Sequence, residues 1–195
     1  IQAENPADLN PAAVLTAPDA ASEKKRAGIP ARPRISSMDT IQKNLTQSLK
    51  NFFKKSGYTR GVIGVSGGVD SALTLKLAVD ALGAQNVTAL IMPELGITTQ
   101  MNIDHAKILC EYMGVRIFYQ PINNFMTDFG IVSWKPTNLA TMNTKARVRA
   151  VLLYSYANSE RALVLGTSNK SEIMLGYGTK YGDLAADVEV IADLF

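Results

Sequence analysis

The sequence predicts an α/β fold, a doubly wound parallel sheet with helices on both faces. Three observations carry that expectation: short apolar runs of strand length recur along the chain, segments of helical period separate them, and the first run ends in a glycine-rich turn. Strand, helix, strand in repetition means parallel neighbours, because a parallel pair needs a crossover between its members. Ligands of such sheets sit beyond the carboxyl ends of the strands, so the turns after the apolar runs are where chemistry is sought.

The elements follow in order. Residues 1–36 carry Pro6, Pro11, Pro18, Pro30 and Pro33, spaced so that no regular element of useful length fits between them, and read as a flexible tail or linker. A solvated arm is the plain reading, and an arm that docks on a partner is the alternative. From Ser37 onward one domain is expected. Met38, Ile41, Leu45, Leu49 and Phe52 recur at helical spacing, with Ser36 or Ser37 to cap the start and Gly57 to end the helix. Gly61 to Val65 suits a buried strand, and further strands are expected over Val87 to Met92, Val115 to Tyr119 and Ala162 to Leu165. Helices are expected between them around Ala72 to Leu82, Asn102 to Met113 and Thr144 to Asn158.

Composition bounds the function. With 195 residues and 47% apolar content the chain can bury one sizeable core. Twenty Lys and Arg against 17 Asp and Glu give a net charge of +3, too small an excess to argue for nucleic acid. Cys110 is the only cysteine, which excludes an internal disulfide and makes a reducing, cytoplasmic setting the default. No apolar run approaches the roughly 20 residues that span a bilayer.

Ser66-Gly67-Gly68-Val69-Asp70-Ser71 follows the first expected strand and opens the next helix. Two glycines let the backbone approach an anion, two serines add donors, and a helix start adds partial positive charge. Asp70 would repel phosphate unless a divalent cation lay between them, so it reads as a magnesium ligand. The plain alternative is a glycine turn with a chance Asp. The string is neither a Walker loop nor a Gly-x-Gly-x-x-Gly fingerprint.

It resembles instead the pyrophosphate loop of the ATP pyrophosphatase family, which includes NAD, GMP and argininosuccinate synthetases and tRNA-thiolating enzymes. The second half of the chain chooses among them. Asn143-Thr144-Lys145-Ala146-Arg147-Val148-Arg149, Leu152-Leu153-Tyr154, Gly166-Thr167-Ser168-Asn169-Lys170-Ser171-Glu172 and Gly176-Tyr177-Gly178-Thr179-Lys180-Tyr181-Gly182-Asp183, with Asp187 beyond, are similar to the ammonia-dependent NAD synthetase signature in order and spacing. The resemblance runs from Met38 to Phe195.

That resemblance implies an adenine nucleotide alpha hydrolase-like, Rossmann-like fold and a ligase of NAD biosynthesis. Such an enzyme amidates deamido-NAD with ammonia at the expense of ATP, through an adenylated intermediate, releasing AMP and pyrophosphate. It implies ATP binding by Gly64, Val65, Ser66, Gly67, Gly68, Val69, Asp70, Ser71 and Thr167; magnesium binding, and so catalysis, by Asp70 and Glu172; and deamido-NAD binding by Arg147, Lys180 and Asp187. A homodimer acting on these small molecules in the cytoplasm, with neither nucleic acid nor membrane, is implied as well. The rivals are an ATP pyrophosphatase adenylating another substrate, or a non-catalytic nucleotide-binding module. The surroundings of Cys110 do not resemble a glutaminase site, so ammonia is expected free or from a partner or further domain.

Two departures from the family stand out. Leu184-Ala185 replaces a usual Gly-Gly pair, which bears on loop closure, and the family continues past Phe195 with further contacts, so the domain is expected to be incomplete at that end. Four residues have plainer readings. Arg149, off the helical face of Arg147, reads equally as a surface residue or a ligand. His105 reads as structural, Cys110 as a small buried hydrophobe, and Trp134 as packing a loop, with a stacking platform for a base as the alternative.

Overall fold

The computed structural model describes residues 37–195, so the reading of residues 1–36 as a tail lies outside the described residues. Strands β1 (Arg60–Gly64), β2 (Val87–Ile91), β3 (Arg116–Tyr119), β4 (Ala162–Gly166) and β5 (Val188–Glu189) form one sheet in the order β3-β2-β1-β4-β5. Every neighbouring pair is parallel. All five residues of β2 are buried, as expected for a strand covered on both faces, whereas β3 lies at an edge and is largely exposed.

Helices α1 (Met38–Ser56), α2 (Val69–Leu82) and α3 (Gln100–Met113) contribute to one core, where Leu49, Phe53, Leu75, Ala78, Ala106 and Cys110 meet Ile63, Val87 and Leu165. Helices α4 (Asn123–Phe129) and α5 (Asn138–Glu160) build the other, around Val62, Leu90, Val164, Ile122, Val148 and Ala157. Helix α6 (Lys170–Leu175) follows β4.

The end of the α1 stripe differs from expectation. Phe53 is 3% exposed and sits in the core, while Phe52 is 37% exposed and meets Phe53 edge-on. Helix α5 begins six residues before the expected Thr144, because the Thr137 hydroxyl accepts the Ala140 N–H at 3.1 Å and caps a turn placed just after Pro136. Trp134 does not pack its loop, being 68% exposed, and His105 lies on the exposed side of α3. Cys110 is fully buried, and burial, aided by Glu111, pushes its thiol up to about 11, so it is neutral and inert at neutral pH. Among the described residues no helix is long and apolar enough to cross a membrane.

Candidate functional site

The order of the sheet decides where a site can lie. The chain leaves β1 for β2 on one side and reaches β4 on its other side, so the crossovers diverge between β1 and β4 and leave a crevice at their carboxyl ends. Ile63 pairs with Leu165, which brings the turns after Gly64 and Gly166 to the same level.

In the first turn, Ser71 Oγ donates to Gly68 O at 2.9 Å, the Gly68 N–H donates to Ser66 Oγ at 3.2 Å, and the two serine hydroxyls lie 3.2 Å apart. No side chain caps the start of α2, whose first amides are left for another acceptor. Gly67 has φ +88°, and a Cβ there would collide with the Asn102 carbonyl at the start of α3. The loop is therefore wedged between β1 and α3, and only glycine fits at its apex.

In the second turn, Asn169 and Glu172 form a capping box. The Glu172 N–H donates to Asn169 Oδ1 and the Asn169 N–H to Glu172 Oε2, each at 3.0 Å. Glu172 thus has a structural task at one oxygen and keeps the other. The Ser168 N–H donates to Glu189 Oε2 at 3.1 Å. Burial pushes the Glu189 carboxyl above the usual range; that hydrogen bond opposes the rise, and the charges of Asp183 and Glu172 add to it.

Two adjoining cavities open at this edge. One, of about 670 Å³, is mostly apolar and runs from Gly64, Leu90 and Met92 to the face of α5 that carries Met142, Ala146, Arg149 and Leu153. The other, of about 180 Å³, is lined by Ser66, Gly68, Asp70, Ser71, Thr167, Ser168, Glu172 and Asp183. Ser66, Thr167 and Asp183 line both and mark the passage between them. All side chains of the smaller chamber offer oxygen, three of them as carboxylates, and no cationic residue lines it. That donor set suits a hard divalent cation such as magnesium. No group of three acids, histidines or cysteines among the described residues is arranged to hold a metal without help, so the fit is to an ion shared with phosphate oxygens.

The sequence-derived residues divide accordingly. Asp70, Glu172 and Thr167 line the smaller chamber together with Ser66, Gly68 and Ser71, and Gly64 and Val65 line the larger one. Arg147, Lys180 and Asp187 line neither. Arg147 is exposed, with its Nε donating to Lys180 O at 3.2 Å, and Lys180 Nζ lies 4.9 Å from the Tyr181 ring centre. Asp187 accepts the Val164 N–H at 2.7 Å and the Tyr154 hydroxyl at 3.4 Å; burial and that carboxylate raise the Tyr154 pKa.

Arg149, not Arg147, turns to the cavity, and its Nε donates to Met92 O at 3.0 Å. Burial lowers its pKa against the opposing charge of Glu94. The signal was available: 142, 146, 149 and 153 recur at helical spacing. The loop 176–185 lines the site, held to α5 by Thr179 Oγ1 donating to Asn143 Oδ1 at 3.0 Å and stitched internally by the Thr179 N–H to Asp183 Oδ1 at 2.7 Å. Leu184 packs its side chain against Gly178.

An apolar chamber, a glycine loop and an acidic, hydroxyl-lined chamber at the carboxyl edge of a parallel sheet place the protein in the doubly wound α/β class. Residues 41–195 match the sequence model of NAD synthase, and the chain belongs to that family. It is 40% identical over 163 residues to an NH3-dependent NAD+ synthetase of Methanocaldococcus jannaschii, covering 82% of this chain and 62% of that relative's length. The chain therefore spans about three fifths of the curated relative's length. Among solved structures, the glutamine-dependent NAD+ synthetase of Acinetobacter baumannii in complex with ADP matches with TM-score 0.79 and 34% identity over 84% of this chain and 32% of its own. The NH3-dependent NAD synthetase of Campylobacter jejuni matches with TM-score 0.76 and 38% identity over 80% of this chain and 68% of its own.

The collision at Gly67 gives a stability prediction. Gly67→Ala combines left-handed strain with a clash against fixed backbone and should cost about 2–4 kcal/mol, whereas Gly57→Ala, at φ +73° in open space, should cost only about 1–2 kcal/mol. Chemical denaturation of both variants measures the difference. Equal losses would mean that the wedge against Asn102 carries no energy.

Proposed function

We propose that this chain is the catalytic region of an ammonia-dependent NAD synthetase, which adenylates the nicotinate carboxylate of deamido-NAD with ATP and lets ammonia displace AMP. The observation that supports it most is the junction of the two cavities at Ser66, Thr167 and Asp183, since an adenosine and its phosphates need an apolar chamber opening into a donor-lined, acid-bearing one.

A free carboxylate resists attack by ammonia, and adenylation supplies the leaving group. The residues need only hold two nucleotides in line and balance charge. In this reading the uncapped start of α2 and the Ser66 hydroxyl receive the phosphates, with Thr167 at the passage, while the Gly68 amide and the Ser71 hydroxyl hold the loop in shape. Asp70 and the free oxygen of Glu172 hold magnesium, which when bound would neutralise phosphate charge. Arg147 and Lys180 offer cations to deamido-NAD from the exposed side, and Asp187 joins them only through lone pairs left over from Val164 and Tyr154. The same reading puts the enzyme in the cytoplasm, where Cys110 stays reduced.

Purified chain given ATP, magnesium, deamido-NAD and ammonium should form NAD, AMP and pyrophosphate in equal amounts. ADP and orthophosphate as products would contradict the reading, and AMP without NAD would favour a different acceptor. Asp70→Asn and Glu172→Gln should each lower turnover by at least about a hundredfold with little change in thermal stability. Gln keeps an oxygen for the Asn169 N–H, so the capping box survives and the loss reports the metal. Near-normal turnover in both variants would leave Asp70 as a solvated acid and Glu172 as a helix cap.

A homodimer belongs to the same reading, and two-fold pairing is the commonest arrangement of soluble oligomers. The segment from α4 to α5 leaves Phe129, Ile131, Trp134, Leu139 and Val151 exposed, an apolar surface suited to a second copy. Light scattering at micromolar concentration should find the dimer, with Trp134 fluorescence shifted to the blue. A monomer throughout would refute it.

A further inference from the structure

Glu189 is the one charged residue in the apolar run Val188–Ile191, and it lies in the two-residue strand that pairs with the end of β4. Its register partner is Gly166, immediately before Thr167. A Cβ on Gly166 would collide with both carboxylate oxygens of Glu189, so the carboxylate lies directly against the backbone that enters the Thr167–Ser168 turn. Oε2 accepts the Ser168 N–H at 3.1 Å, and Oε1 is buried without a hydrogen-bond partner. Burying an unpaired carboxylate oxygen is costly, and the nearby negative charges of Asp183 and Glu172 add to that cost. An apolar side chain of similar size would cover β4 without this penalty, so packing alone does not account for an acid here. Glu189 lines neither cavity, whereas Thr167 lines both and Ser168 the smaller one.

We propose that Glu189 is a positioning residue for the nucleotide: it holds the Ser168 amide from behind the cavity wall and so fixes the direction in which Thr167 and the start of α6 face the ligand. The inference rests on the assignment of ATP to this site. Gly166 leaves room for the carboxylate, and the bond to Ser168 sets the turn. Without an acceptor at this place the amide must find another partner, and the turn rotates.

The test compares the full chain with Glu189→Gln, which keeps an acceptor, and with Glu189→Leu and Glu189→Ala, which remove it. Three readouts are needed: amide exchange at Ser168, thermal unfolding, and steady-state kinetics with magnesium and ATP. Glu189→Gln should keep Ser168 protected and the KM for ATP within about twofold. The Leu variant should expose Ser168 to exchange and raise the KM for ATP about tenfold, with kcat within about threefold and the KM for ammonium unchanged. If Leu does not fold, Ala carries the same comparison.

A merely structural role would lower the unfolding temperature without this split in kinetic constants. Normal ATP kinetics in the Leu or Ala variant, or equal loss in Gln and Leu, would overturn the proposal. Wild-type chain that neither binds ATP nor forms NAD would refute the assignment of ATP instead, and the exchange at Ser168 would then still decide whether Glu189 holds the turn.

Discussion

The parallel pairing of β1 with β4 is the constraint on which the site depends. Residues of the first loop and of the turn after Gly166 are separated by about half the chain, and only this register sets them side by side. The pairing is secured by burial, since Val62, Ile63, Val164 and Leu165 are all nearly inaccessible and belong to the two cores on either face of the sheet. A one-residue slip would exchange the two faces and separate the turns, so the energy that fixes the fold also fixes the site.

Charge divides the site into two parts. The smaller chamber gathers Asp70, Glu172 and Asp183 with hydroxyls and no cationic lining, in a chain whose net charge is +3. Such a chamber would repel a bare polyphosphate and would accept one that brings a divalent cation, so the proposed metal and nucleotide sites would depend on each other. The larger chamber has the opposite character, apolar walls with Arg149 tied to Met92 O. Lys145 and Glu94, paired at 2.7 Å and largely buried, fasten α5 to the segment after β2 that forms part of this wall. The wall is thereby held by charge-assisted contacts of the kind that lose little to solvent screening.

The four longer strands were legible because buried parallel strands read as short apolar runs, and the glycine loop because its composition and place are rare together. Short elements were not legible. β5 has two residues, α6 six and α4 seven, and such pieces are held by tertiary contacts and caps rather than by a period of their own. At α1 the period was right but its last member was misplaced, since Phe52 and Phe53 are equally apolar and only packing against α2 separates them. Arg147 and Arg149 are a different case, because a signature marks both but the helical spacing of 142, 146, 149 and 153 marks which of the two shares the cavity face. Glu189 carried one faint signal, an acid within an apolar run, that acquires meaning only beside Gly166.

The central question is whether the two turns form one receptor for a metal-bound polyphosphate joined to a nucleoside chamber. Calorimetric titration of the purified chain with ATP, with and without magnesium, and with AMP in parallel, tests this most directly. With such a receptor, ATP binds well only with magnesium, pyrophosphate with magnesium competes, and AMP binds more weakly. AMP binding as tightly as ATP, with no effect of magnesium, would contradict it.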